Sequence, residues 1–408
     1  MATQALRVQS RAKMLAFKPI VIALLVLVIY LEVFISRAAN IPVRMLLDAL
    51  VVVLAGGIMA QAFFRQRLRI LHVLLLFNIA VFTVLSLFGA LDPSFSTSLL
   101  SAIIFSKFLI VFFLVGKFDM ADLKLTMHIL AVLHILGGLG NVVAPELFTA
   151  LLPQVSYQID TSRLMGLSLN ANRSAAISTV LFLYFLYVDR NRLLVAIFLA
   201  FIVLSGSRSL TVIAGLLAVY MFLKSRASLS MRLVTSTLAG LLALVVVATM
   251  ISFDETLIVI QNTLGGDLRY IRAAMLGGGY FLANEFFPLG VGGGQFGSSL
   301  SAGSEAYRMV GISHWASVID MWGVYDSGLG AILGEYGWLG LAIYILVVYV
   351  AMKNADQRKV PLMAALFLLV IILMMNMVRT VASDFFFSFF FLFVYTLVMH
   401  QHHKPKAG

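Results

Sequence analysis

The sequence predicts an all-α, polytopic integral membrane protein of about twelve transmembrane helices, with one long loop that carries short helices. Three observations predict it. Hydrophobic residues make up 62% of the chain and charged residues 12%, with a mean hydropathy of +1.02. A soluble core does not need that much apolar side chain, whereas a surface facing lipid does. The apolar residues come in windows of roughly 20, the length that crosses a hydrocarbon core of about 30 Å. Basic residues are divided unevenly between alternate connections.

The windows fall near residues 19–36, 43–63, 69–90, 98–117, 121–143, 173–188, 192–206, 209–224, 231–252, 328–352, 360–378 and 383–400. Basic residues precede the first window and no small-residue cleavage site follows it, so it is expected to be a span and not a removed signal peptide. No linker, low-complexity tract or fixed-period repeat divides the windows. Residues 1–408 are therefore expected to form a single membrane domain, interrupted by one long loop, 253–327, between spans nine and ten. There is no cysteine, which excludes disulfides and thiolate chemistry. The formal charge of +11 is assigned to loops that set orientation, with no nucleic-acid partner expected.

With the N-terminus cytoplasmic, nineteen of the 29 basic residues fall on inner segments, nine on outer segments, and Lys107 within a span. An even span count returns the C-terminus to the cytoplasm and puts the 253–327 loop outside. The outer basic residues, among them Arg163, Arg173, Arg208, Arg269, Arg272, Arg308 and Arg379, are all arginine. Positive charge alone would set topology with either residue. A planar guanidinium fork grips phosphate bidentately, which suits a site for a phosphate-bearing ligand.

Four stretches stand out. The first runs Ser162-Arg163-Leu164-Met165-Gly166-Leu167-Ser168-Leu169-Asn170-Ala171-Asn172-Arg173, turn residues leading to a helix N-terminus that can face an anion. The second is Ser205-Gly206-Ser207-Arg208, a turn that holds a charge between two apolar walls. The third joins Arg269 and Arg272, three apart and so on one face of a helix, to the run Pro288-Leu289-Gly290-Val291-Gly292-Gly293-Gly294. That glycine run is either an anion nest or a flexible turn. The fourth is Asp326-Ser327 leading to Glu335-Tyr336-Gly337-Trp338-Leu339-Gly340. Asp326 is a candidate base or the N-cap of the tenth span, and the two roles are compatible. His314, beside Trp315, is an alternative base or an interface histidine. Arg379 and Asp384 can pair or line the same cavity. Asp48, Lys107 and His134 lie within apolar spans and follow no legible pattern. No cluster has metal-ligand spacing, and no cofactor is expected.

In these stretches, their order and the layout of spans, the chain resembles the O-antigen ligase and O-antigen polymerase superfamily of bacterial membrane glycosyltransferases over roughly residues 160–400. The resemblance implies transfer of a glycan carried on undecaprenyl diphosphate, at the outer face of the bacterial inner membrane. It implies that Arg163, Arg208, Arg269 and Arg272 hold the diphosphate, with Asn172 and Arg379 as further candidates. Ligases of the superfamily typically carry a His-Asn pair where this chain has Asp326-Ser327, and an acidic residue there looks more like the polymerase branch. The expected activity is therefore polymerisation of lipid-linked repeats, with the bilayer, the lipid-linked glycan and a chain-length regulator as partners. A ligase delivering glycan to lipid A core or protein is the alternative within the class. A transporter or lipid flippase is the alternative outside it, against which stand the long outer loop and the lack of internal symmetry.

Overall fold

The computed structural model describes residues 19–20, 22–39, 41, 43–64, 70–115, 120–146, 163–224, 271–319, 321, 324, 327–355, 360–378, 381 and 384–403. Every regular element among them is helical: α1 (Glu32–Ala38), α2 (Val43–Phe64), α3 (Ile70–Leu87), α4 (Phe95–Phe105), α5 (Lys107–Val115), α6 (Met120–Val143), α7 (Ala171–Tyr184), α8 (Arg192–Leu204), α9 (Arg208–Lys224), α10 (Ile271–Glu285), α11 (Glu305–Met309), α12 (Ala316–Ile319), α13 (Gly328–Ala355), α14 (Leu362–Val378) and α15 (Phe385–His403). Four helical segments among the described residues, Ile70–Leu87, Leu123–Val143, Ala171–Asp189 and Gly328–Asn354, are long and apolar enough to cross a membrane. The window 231–252 and the start of the long loop, to residue 270, lie outside the described residues.

The chain forms two compact units, Met1–Leu47 with Phe118–Val245 and Leu392–Gly408, and Asp48–Lys117 with Val246–Phe391. In the first, α7 is the central helix. The segment Ala171–Asp189 is 89% buried, packed by α6, α8 and α9. It starts sharply because the Asn170 side chain accepts from the amides of Asn172 and Arg173 at 3.0 and 3.1 Å, an N-cap that satisfies two otherwise orphan donors. It ends in a π-helical turn, Phe185–Asp189. Gly138 of α6 leaves room for the ring of Phe201 on α8.

In the second unit, α3 turns into α4 through Ser94, whose hydroxyl accepts from Thr97 N at 3.2 Å. The single span expected over 98–117 is two helices, α4 and α5, meeting at Ser106. The Ser106 hydroxyl donates back to Ala102 O at 2.7 Å and accepts from Asn78 Nδ2 at 2.8 Å. A serine bonding back to the preceding turn competes with the helix ladder and bends it. Helices α10 and α13 pack closely where Gly279 meets Gly330, since a methyl on Gly279 would strike the Gly330 backbone. The described part of the long loop is a packed body with its own core, built on Met275, Leu282, Val291, Phe296, Tyr307 and Ile312.

Helix α13 is kinked at Gly337, with φ 63° and ψ −164°. The cause is the glycine-rich segment, which lies along the break and takes over its hydrogen bonds. Val291 N donates to Gly334 O and Gly292 N to Glu335 O, each at 2.9 Å, while Leu339 N turns to Pro288 O at 3.2 Å. A foreign backbone inserted into the helical ladder is a recognised source of sharp kinks. Beyond the kink, Trp338 to Ala355 is long enough by itself to span a bilayer at about 1.5 Å per residue.

Gly337→Ala adds a Cβ in the left-handed region and against the Pro288 carbonyl. The expected loss is about 1–3 kcal/mol, read as a lower Tm of the detergent-purified protein. Gly57→Ala, on α2 with open space around it, is expected to leave Tm unchanged or raise it.

Candidate functional site

Two of the four marked stretches meet in the first unit. The segment leading to the 3₁₀ turn Gly166–Ser168 runs beside the α8–α9 turn, and Leu164 N donates to Leu204 O at 2.9 Å. Arg163 Nε donates to Ser205 O at 2.8 Å. Its side chain crosses Gly206, which has φ +61° and where any Cβ would sit 3.0 Å from Arg163 Nε. Glycine is required there both for the backbone angle and for the arginine above it. Ser207 Oγ donates to Asn172 Oδ1 at 2.8 Å, tying the head of α9 to the head of α7. Arg208 is the first residue of α9; its side chain lies outside the described residues. The junction thus gathers Arg163, Asn172, the backbone position of Arg208 and the N-termini of two helices. Helix N-termini carry about half a positive charge each, which suits an anion.

Beneath the junction lies a buried polar ring that was not legible beforehand. Arg173 Nη1 meets Glu32 Oε2 at 2.8 Å, each side chain 9% exposed. Two residues before Glu32, the Tyr30 hydroxyl meets His134 Nδ1 at 3.0 Å, and His134 Nε2 meets Ser178 Oγ of α7 at 2.8 Å. His134, singled out in the sequence without a pattern, is therefore the link between Tyr30 and α7. Gly166 packs directly over it, its Cβ direction pointing at His134 and the Tyr30 hydroxyl. Asn141 Oδ1 accepts from Met165 N at 2.8 Å and pins the other side of the same turn. Arg173, grouped with the outer cations, is neutralised by Glu32. A charge in an apolar span must be paired, so Glu32 was the signal that Arg173 had a structural partner.

In the second unit the glycine run Pro288–Gly294 is neither an open anion nest nor a flexible turn. Its amides are engaged. Leu289 N and Gly290 N donate to Phe286 O, Val291 N and Gly292 N to α13, and Gly293 N to Ser86 Oγ at 2.7 Å. The acidic side chain beside the glycines is the protein's own. Glu335 Oε1 accepts from Phe296 N at 3.2 Å and Oε2 from Ser101 Oγ at 3.0 Å. Ser101 Oγ is also 2.7 Å from the Tyr336 hydroxyl. Glu335 is fully buried, and this cluster staples α4, α13 and the glycine run together.

The remaining expected site residues are placed as follows. Arg272 is half-buried on the first turn of α10. Its partner Arg269, the candidate base Asp326, and Arg379 lie outside the described residues. His314 is exposed, in the turn before α12. Asp384 caps α15, accepting from Phe386 N at 2.8 Å. Arg308 pairs with Glu305 on the exposed side of α11. Among the described residues no three His, Asp or Glu side chains gather as metal ligands.

Removing one partner of the Arg173–Glu32 pair leaves a buried charge. Arg173→Ala is expected to cost about 3–5 kcal/mol, and the double variant Arg173→Met with Glu32→Leu to recover most of it. Thermal unfolding in detergent checks both. Comparison with known proteins finds no family model that matches the chain and no curated protein that matches it.

Proposed function

We propose that the protein is a bacterial inner-membrane glycosyltransferase that polymerises oligosaccharide repeats carried on undecaprenyl diphosphate, with about twelve spans and the long loop on the periplasmic side. The observation that supports it best is the junction of Arg163 with Ser205–Ser207. Two arginine-bearing stretches distant in sequence are clamped together at two helix N-termini. An anion held there would face the fixed Arg163 side chain and the positive ends of two helix dipoles, which need no rearrangement when charge develops.

The proposed step is attack of an acceptor hydroxyl on the anomeric carbon of the donor. The new glycosidic bond forms as the bond from that carbon to the phosphate oxygen breaks, and the electron pair leaves with undecaprenyl diphosphate. Asp326 is the proposed base that receives the hydroxyl proton. Arg163 and Arg208 are the proposed holders of the diphosphate, with Arg269 and Arg272 as further candidates, and the guanidinium groups stabilise the charge that builds on the leaving group.

Arg163→Ala and Arg208→Ala are each expected to lower the rate by roughly 10²–10³, so that a glycan gel of the polymer-producing cell shows single repeats. Gly206→Ala is expected to do the same without changing any charge, because it displaces Arg163. Arg163→Lys restores length only in part, since an ammonium lacks the fork. Wild-type chain lengths in the alanine variants reject the clamp. Long lipid-linked polymer accumulating on deletion assigns the protein to ligation instead.

A further inference from the structure

Helix α10 has one face spent and one face bare. Ala274, Met275 and Leu282 are buried in the core of the body that contains Phe296 and Tyr307. On the other side Tyr280, Phe281 and Phe287 are 55%, 46% and 71% exposed. The bare face is confined to the end of the helix, with Arg272 at the opposite end. Three large aromatic residues open on one short segment exceed what scattered surface apolar residues require.

The neighbours of this face identify what covers it. Helices α10 and α13 run in the same direction. Gly279 meets Gly330, and one turn or more further along, Trp338 Nε1 donates to Asn284 Oδ1 at 2.9 Å. The Tyr280 and Trp338 rings meet edge to face at 5.9 Å. Trp338 is the first residue after the Gly337 kink, at the head of the stretch Trp338–Ala355 that is long enough to cross a bilayer. Along that stretch Leu339 and Leu346 are 40% and 56% exposed, as lipid-facing residues are. The end of α10 therefore lies at the level where the span begins. We propose that Tyr280, Phe281 and Phe287, with Trp338, dock the end of α10 into the headgroup region of the bilayer.

The chemistry fits that depth. Tyrosine and tryptophan rings concentrate at membrane–water interfaces, where an apolar body and a polar tip are both accommodated. The indole N–H is already satisfied by Asn284, so the ring enters a water-poor layer without an orphan donor. Glu285, exposed on the last turn, keeps this end at the headgroups and out of the hydrocarbon. The docking face requires only that α13 spans a membrane, so it stands or falls apart from the transferase reaction.

The natural chain has no cysteine, so single sites can be labelled directly. Phe281→Cys and Phe287→Cys, with Ala302→Cys as an exposed control in the same body, are labelled with a nitroxide in the full-length protein. The probe membrane is a proteoliposome of phosphatidylethanolamine and phosphatidylglycerol. Labels at 281 and 287 are expected to collide more with oxygen, which partitions into lipid, than with a water-soluble nickel chelate, and the label at 302 the reverse. Labels at 281 and 287 that behave like the one at 302 overturn the proposal and assign the face to water or to a soluble ligand. Tyr280→Cys repeats the test if either phenylalanine variant fails to fold.

Discussion

Irregular backbone buried among the described helices has to find hydrogen-bond partners inside the protein, because apolar neighbours supply none. That constraint shapes both compact units. In the first, the turn between Arg163 and Asn170 is held by Asn141, by the Leu204 carbonyl and by Ser168, whose hydroxyl donates to Met165 O at 2.7 Å. In the second, the glycine run gives its amides to Phe286, Gly334, Glu335 and Ser86. Satisfying the backbone locally with serine, asparagine and a buried carboxylate is what allows non-helical segments to lie among apolar helices.

The same constraint separates structural polar groups from functional ones. Glu335 carries a charge-bearing group into a fully buried position, and each of its oxygens receives a donor from the protein. It holds the glycine run against the kink in α13, and a ligand anion there would meet an acid and amides already engaged. Arg173 is likewise balanced by Glu32. Arg163 is oriented by the backbone, its Nε donating to the Ser205 carbonyl so that the side chain lies over Gly206.

The helical class and the four helices long and apolar enough to cross a membrane were legible because lipid imposes a strong and simple pattern on sequence. Within the windows the pattern is silent about interruptions. The break at Ser106 depends on a serine bonding backwards, and the kink at Gly337 depends on Pro288 and Gly292 arriving from elsewhere in the chain. Composition cannot report either. The same holds for the site. Arg163, Asn172 and the Ser205–Arg208 turn were visible as unusual polar stretches, but their junction through Ser207 and Asn172 is a long-range contact. The glycine run invited an anion nest, and Glu335 was visible in the motif, yet nothing in spacing tells that the run gives its amides to the backbone of α13 and to Ser86. His134 stood out in its apolar span but followed no pattern, since its two partners, Tyr30 and Ser178, lie on other helices.

The buried contacts beside the junction explain how an irregular turn can be positioned well enough for the clamp proposed there. Gly166 and Leu169 both take positive φ, a conformation that leucine adopts only when its surroundings hold it there. Rigidity comes from below, where the Tyr30–His134–Ser178 chain and the Arg173–Glu32 pair bind α6, α7 and the segment around Leu31 to one another. Each contact joins a different pair of elements, so a shift in any one strains the rest. A guanidinium fixed by such a frame loses less freedom on meeting a diphosphate than one on a free side chain, and the difference appears as binding or as rate. Polar groups buried away from the proposed ligand thus act on it through geometry, by deciding where Arg163 and the two helix N-termini stand.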